Sequence, residues 1–248
     1  MICRHCSPVR LKPAAVMAAL LSVAWLSGCA SQATSTEEGA APDDAYTQLA
    51  AAYLERDNLP RAISALDRAL ELNPEHAEAL QLMAMVHQRQ GEASLADDYF
   101  QRALQADGDF TRTRNNYAAY LFGQGHTAKA CHQLELASED TQYPNRALLF
   151  NNLGQCQREL GNLNAARHSL MRAQSIDARN PNSYFALAEI EYAQGNYSRS
   201  WEQLQSFIGL VGVTPESRRL ASHIAAARGD DDTAFFVSEQ LGSFHGAP

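Results

Sequence analysis

Residues 147–180 read ALLFNNLGQCQRELGNLNAARHSLMRAQSIDARN, and the fold is decided by how this stretch recurs along the chain. Leu149, Leu153 and Cys156 stand at i, i+4 and i+7, Gly161 interrupts the pattern, and Ala166, Leu170 and Ala173 resume it with the same steps. That is the periodicity of two amphipathic helices joined by a glycine-centred turn.

Glycines fall at Gly91, Gly125, Gly161, Gly195 and Gly229, separated by 34, 36, 34 and 34 residues. Small residues keep the same step at Ala62, Ala96, Ala130, Ala166, Ser200 and Ala234, and in a second series at Ala50, Ala84, Ala118, Gly154, Ala188 and Ser222. Each series has a physical reason. Glycine enters the left-handed region at little cost where the turn demands it. Two helices cross closely only where both carry small side chains, and Tyr53, Leu66, Phe100, Leu134, Leu170 and Leu204 are then required to fill the space beside the crossing.

In the first unit Leu49, Ala50, Tyr53, Ala62, Leu66, Ala69 and Pro74 occupy places that resemble the tetratricopeptide repeat signature. The resemblance implies an all-α, right-handed solenoid of about six helix-turn-helix units, with a repeat domain over 45–248. The units lie near 43–76, 77–110, 111–146, 147–180, 181–214 and 215–248. The third carries two extra residues around Asp140 to Asn145, and the last holds Ser222, Ser238 and Leu241 in the packing places. A degenerate final unit is expected of a cap whose outer face meets water.

The amino terminus is read separately. Arg4, Arg10 and Lys12 precede an apolar run from Ala14 to Leu26, which ends in Leu26-Ser27-Gly28-Cys29. The run is roughly a dozen residues, against the ~20 needed to span a bilayer, and ends in the small residues a signal peptidase accepts. Residues 1–28 are therefore expected to be a signal peptide. The four-residue box resembles that of bacterial lipoproteins, which implies lipidation of Cys29, and Ala30 and Ser31 after it imply the outer membrane. Residues 29–44, rich in Ser, Thr, Gly, Ala and Pro, read as a flexible tether.

The whole chain has a formal net charge of -8, and loss of the three positive charges in the first 28 residues leaves -11. An acidic chain without a basic stripe is repelled by phosphate backbones, so no nucleic-acid partner is expected. His76, His87, His126, His132, His168 and His223 are scattered over different units, so no metal site and no cofactor are expected. Asp230, Asp231 and Asp232 follow Gly229 and read as a helix amino-terminal cap. No Ser-His-Asp order, phosphate loop or nucleophile elbow stands out, which argues against an enzyme and a small-molecule substrate. Cys131 and Cys156 fall on neighbouring helices of a solenoid; a disulfide and a pair of buried small apolar side chains both fit that placement.

A stacked array of such units offers one continuous face, lined by places 2, 5, 9 and 12 of each first helix. In units three to five these are Arg112, Asn115, Ala119 and Phe122, then Leu148, Asn151, Gln155 and Arg158, then Asn182, Phe185, Glu189 and Tyr192. Amides, arginines and rings suit the gripping of a partner's extended segment or helix; the plainer reading is a solvated face.

Beyond the repeat itself, Asn115-Asn116-Tyr117, Gly123-Gln124-Gly125, Tyr143-Pro144-Asn145-Arg146, Asn151 through Cys156 and Arg218 through Asp230 resemble the PilF/PilW group of type IV pilus biogenesis lipoproteins. What that resemblance implies is a pilotin: a lipid-anchored protein on the periplasmic face of the outer membrane that binds the secretin subunit and promotes its localisation and assembly. The alternative is a periplasmic adaptor for cell-wall enzymes.

Overall fold

The computed structural model describes residues 41–229. The expected signal peptide 1–28, Cys29, all but the end of the expected tether, and the second half of unit six lie outside the described residues. Within them the chain forms eleven helices and no strand. Unit one holds α1 (Pro42–Glu55) and α2 (Leu59–Leu72), and unit two α3 (Ala77–Gln90) and α4 (Ala93–Ala106). Units three and four hold α5 (Thr111–Gly123) with α6 (Thr127–Ser138), and α7 (Arg146–Glu159) with α8 (Leu163–Ile176). Unit five holds α9 (Pro181–Ala193) and α10 (Tyr197–Val211), and unit six contributes α11 (Pro215–Arg228).

In units one to five each first helix packs most extensively on the second helix of its own unit, and from unit two onward each first helix also packs on the second helix of the unit before. Successive first helices also touch, whereas successive second helices make no comparable contact, so the solenoid curves toward its first-helix side. The crossing residues are those the spacing selected: Ala50, Ala84, Ala188, Ala62, Ala96, Ala130, Ala166 and Ser200 are completely buried, as are Leu66, Phe100, Leu170 and Leu204. Gly154 marks a tighter crossing. A Cβ built there would lie 2.6 Å from Leu170 Cγ and 3.2 Å from the Ala166 carbonyl oxygen. Ser222 departs from its series and is exposed.

The turn glycines Gly91, Gly125, Gly161, Gly195 and Gly229 all have positive φ, between 63° and 78°. Unit one meets the same requirement with Asp57, the one non-glycine residue with positive φ among those described.

The first helix starts at Pro42, inside the stretch read as tether to residue 44. Pro42 has no amide hydrogen to leave unpaired at a helix start, and the helix dipole favours Asp43 and Asp44 in the first turn. Both aspartates are also held by the loop between α2 and α3: Asn73 Nδ2 donates to Asp43 Oδ2 (3.0 Å), and His76 Nε2 sits 2.9 Å from Asp44 Oδ1. The inserted residues of unit three lengthen the loop between α6 and α7. There the Thr111 hydroxyl donates to Asp140 Oδ2 (2.7 Å), a contact that, together with backbone amides, holds the Asp140 carboxyl below its usual range. Tyr143 from the same loop packs on the core of units two to four.

Candidate functional site

The open surface of the first helices is where side chains are left over from packing. Places 2, 9 and 12 point outward: Phe122 is 40% exposed, Leu148 is 46% exposed, and Arg112, Ala119 and Asn182 are exposed. Gln155, Arg158, Phe185, Glu189 and Tyr192 are half-buried. Place 5 behaves differently. Asn115 and Asn151, expected on this surface, are 9% and 2% exposed and lie beneath it, because the first helices lean together along that edge.

Place 5 is instead a ladder that ties one unit to the next. The Thr113 hydroxyl donates to Gln81 Oε1 (2.9 Å) between units two and three, and Asn152 Nδ2 donates to Asn115 Oδ1 (3.2 Å) between units three and four. At the next step the ladder is broken: the Ser183 hydroxyl donates to its own Asn180 carbonyl, and Asn151 Oδ1 is buried without a partner. The asparagine-rich helix starts are thus first an inter-repeat joint.

The arginines are also engaged. Arg112 Nη1 donates to Glu78 Oε1 (2.8 Å), linking place 2 of consecutive units, and Arg158 pairs with Glu189 across units four and five. Gln155 keeps its amide free of other side chains. The groups of this face open to a newcomer are therefore the rings, Leu148, Asn182 and the Gln155 amide.

Two hollows punctuate the face. The first, of about 200 Å³, lies between α5 and α7; Ala118, Ala119, Phe122, Asn152 and Gln155 line it over a floor of Leu134. Beside that floor the structure joins Cys131 of α6 to Cys156 of α7 by a disulfide, with the Cα atoms 5.5 Å apart. The second, of about 310 Å³, lies between α9 and α11 and is lined by Phe185, Glu189, Tyr192, Glu216, Arg219 and His223. Phe185 leans on Phe207 (5.0 Å between ring centres) and Tyr192 on Tyr197 (5.6 Å), which holds both rings upright. Glu216 sits in the first turn of α11, where its own backbone amide and the Thr214 hydroxyl hold its carboxyl below the usual range.

The reading of the sequence stopped the face at unit five and so missed Glu216, Arg219 and His223. They occupy places 2, 5 and 9 of unit six, and the same register carried one unit further would have found them. Asn152, at place 6, had no such signal. Among the described residues no three or more His, Cys, Asp or Glu side chains are grouped to hold a metal, and no helix is long and apolar enough to cross a membrane.

Comparison with known proteins places this geometry. The tetratricopeptide repeat family pattern matches residues 43–86, and a second form of it matches 77–110 and 147–180. The type IV pilus assembly protein PilF of Pseudomonas aeruginosa is 31% identical over 198 residues, 80% of this chain and 79% of that protein. A solved structure of Pseudomonas aeruginosa PilF superposes with a TM-score of 0.73 at 30% identity, covering 82% of this chain and 92% of the other. The crystal structure of PilW, described as a widely conserved type IV pilus biogenesis factor, shares the fold with a TM-score of 0.69 at 24% identity, covering 81% and 92%.

Proposed function

The chain belongs to the family of the type IV pilus assembly protein PilF, and from that premise we propose that it is an outer-membrane lipoprotein that holds the secretin subunit during assembly of the pilus pore. The reading rests on one observation above the others. A stacked, curved row of first helices leaves rings and an unengaged amide on one continuous side, and that surface suits the holding of a polypeptide and not chemistry on a small molecule.

In this reading the thiol of Cys29 carries the lipid, residues 30–41 give reach, and the repeat domain meets the partner at the membrane surface. Several acyl chains on one lipoprotein give the firm anchoring that one chain does not. Holding an unassembled subunit keeps its exposed edges from pairing wrongly until it reaches its neighbours. The protein works as a scaffold, without a cofactor.

The experiment is complementation of a deletion strain with Cys29→Ser, Phe122→Asp and the unaltered gene. The proposal expects no surface pili and unassembled secretin monomers with either variant, and both restored by the unaltered gene. Normal secretin multimers in the deletion strain would reject it. Intact pili with altered cell shape would favour the adaptor of cell-wall enzymes instead.

A further inference from the structure

We propose that the partner lies on the first-helix face as an extended strand, with an apolar side chain in the hollow between units three and four and, about six residues away, a lysine or arginine between units five and six. This rests on the reading of the face as the partner-binding surface and adds the chemistry of what it selects.

The first hollow carries no charged side chain, and its volume of about 200 Å³ takes one large aliphatic or aromatic group. Phe122, 40% exposed, has nothing packed on its open face and gains most from being covered. The free amide of Gln155 at the rim decides the conformation. It offers one acceptor and two donors, and the backbone of an extended strand has an amide and a carbonyl to meet them. A helix has already used its backbone groups internally and has only side chains to offer Gln155.

The second hollow selects by charge. Phe185 and Tyr192 present rings, and Glu189 and Glu216 present carboxylates, facing Arg219 and His223. Arg158 engages Glu189 through Oε2, which leaves Oε1 able to accept from a second donor. A cation entering there meets two carboxylates beside the Phe185 and Tyr192 rings, the latter 6.0 Å from the His223 ring, whereas an acidic side chain meets like charge from both carboxylates. The spacing follows from the stack: the hollows are two first-helix steps apart, about 20 Å at the roughly 10 Å separation of neighbouring helices, which an extended chain covers in about six residues and a helix in about 13.

The test uses the full chain and synthetic peptides of a serine-threonine background, each with one leucine and one arginine, their separation scanned from about three to about fourteen residues in both directions. Fluorescence anisotropy should give the tightest binding near a separation of six, a loss of roughly fivefold on Arg→Gln and at least roughly tenfold on Arg→Glu. In Glu216→Gln the preference for arginine should fall to about twofold while the dependence on leucine persists, and Phe122→Ser should do the converse. Thermal melting of both variants at the parent temperature shows that the fold is kept, since both side chains are exposed.

An optimum near 13, indifference to separation, a preference for glutamate, or a face closed by self-association that Phe122→Ser reverses would each overturn the inference. Crosslinking of this face to a pilus component in cells, with no such peptide preference, would sink the inference alone and leave the proposed function standing.

Discussion

Replacing Gly154 by alanine sets two effects of opposite sign against each other in the middle of α7. Alanine is favoured over glycine in a helix interior by about 1 kcal/mol, so an open site would be stabilised. This site is closed. The added Cβ would lie 2.6 Å from Leu170 Cγ and 2.9 Å from Leu170 Cδ2, where carbon atoms rest at about 3.5–4.0 Å. Leu170 is fully buried, so it cannot swing into solvent, and the Ala166 carbonyl oxygen at 3.2 Å blocks a slide along α8. Forcing α7 and α8 apart costs about 2–3 kcal/mol by the usual price of one extra carbon in a full core, so the net loss is about 1–2 kcal/mol. Urea unfolding followed by far-ultraviolet circular dichroism measures it. The double variant Gly154→Ala with Leu170→Ala should lose less than the two single losses together, since the second change removes the obstruction of the first. Ala118→Gly, at the corresponding place of unit three, should also destabilise by about 1 kcal/mol, because the crossing there already accommodates a methyl group. A Gly154→Ala protein as stable as the parent, or more so, would refute the claim that this crossing is closed to a methyl group.

Asp57→Gly should stabilise the chain by about 0.5–1 kcal/mol in the same unfolding assay, because Asp57 bears a side chain at φ 54° and its ion pair with Arg89 is exposed. Glu191, buried in α9, accepts hydrogen bonds from Arg167 Nε (2.7 Å) and Asn196 Nδ2 (2.8 Å). Burial raises its pKa, but these hydrogen bonds and the charges of Arg167 and Arg199 outweigh burial and hold it below the ordinary 4.5. A depressed folded pKa gives stability that is present above the unfolded value and lost as pH falls through the folded one. The parent should therefore exceed Glu191→Gln by about 1–2 kcal/mol at pH 7, and the gap should close below pH 4.5, as unfolding curves across that range will show. Replacing Cys131 and Cys156 together by alanine opens a bridge between residues 25 apart and should cost about 2–4 kcal/mol, with hydrogen exchange rising first in α6 and α7.

The pattern of units was open to reading because its requirements are local and strict. Only glycine meets positive φ cheaply, and Gly91, Gly125, Gly161, Gly195 and Gly229 announced the turns by that fact. Asp57 fills the same place in unit one and escaped a search made on glycines, since aspartate is the tolerated exception. The surface was harder. A helix turns about 100° per residue, so Asn151 and Asn152 look alike in a sequence, yet the first is buried at the inter-unit edge and the second lines a hollow. Which amide sinks depends on how far neighbouring helices lean, a property of the stack and not of any one unit. The charge pairs could have been suspected for Glu78 and Arg112, which share place 2 in successive units. Arg158 and Glu189 stand at places 12 and 9, different places of the register, so their pairing has no counterpart in the spacing.

A photoreactive amino acid placed at one residue per strain tests whether the first-helix side is the working surface. With the crosslinker at Gln155 on that side, irradiation of cells assembling pili should give one adduct containing the secretin subunit, and with it at the exposed Glu202 of α10 none. Adducts from Glu202 and not from Gln155 would contradict the account.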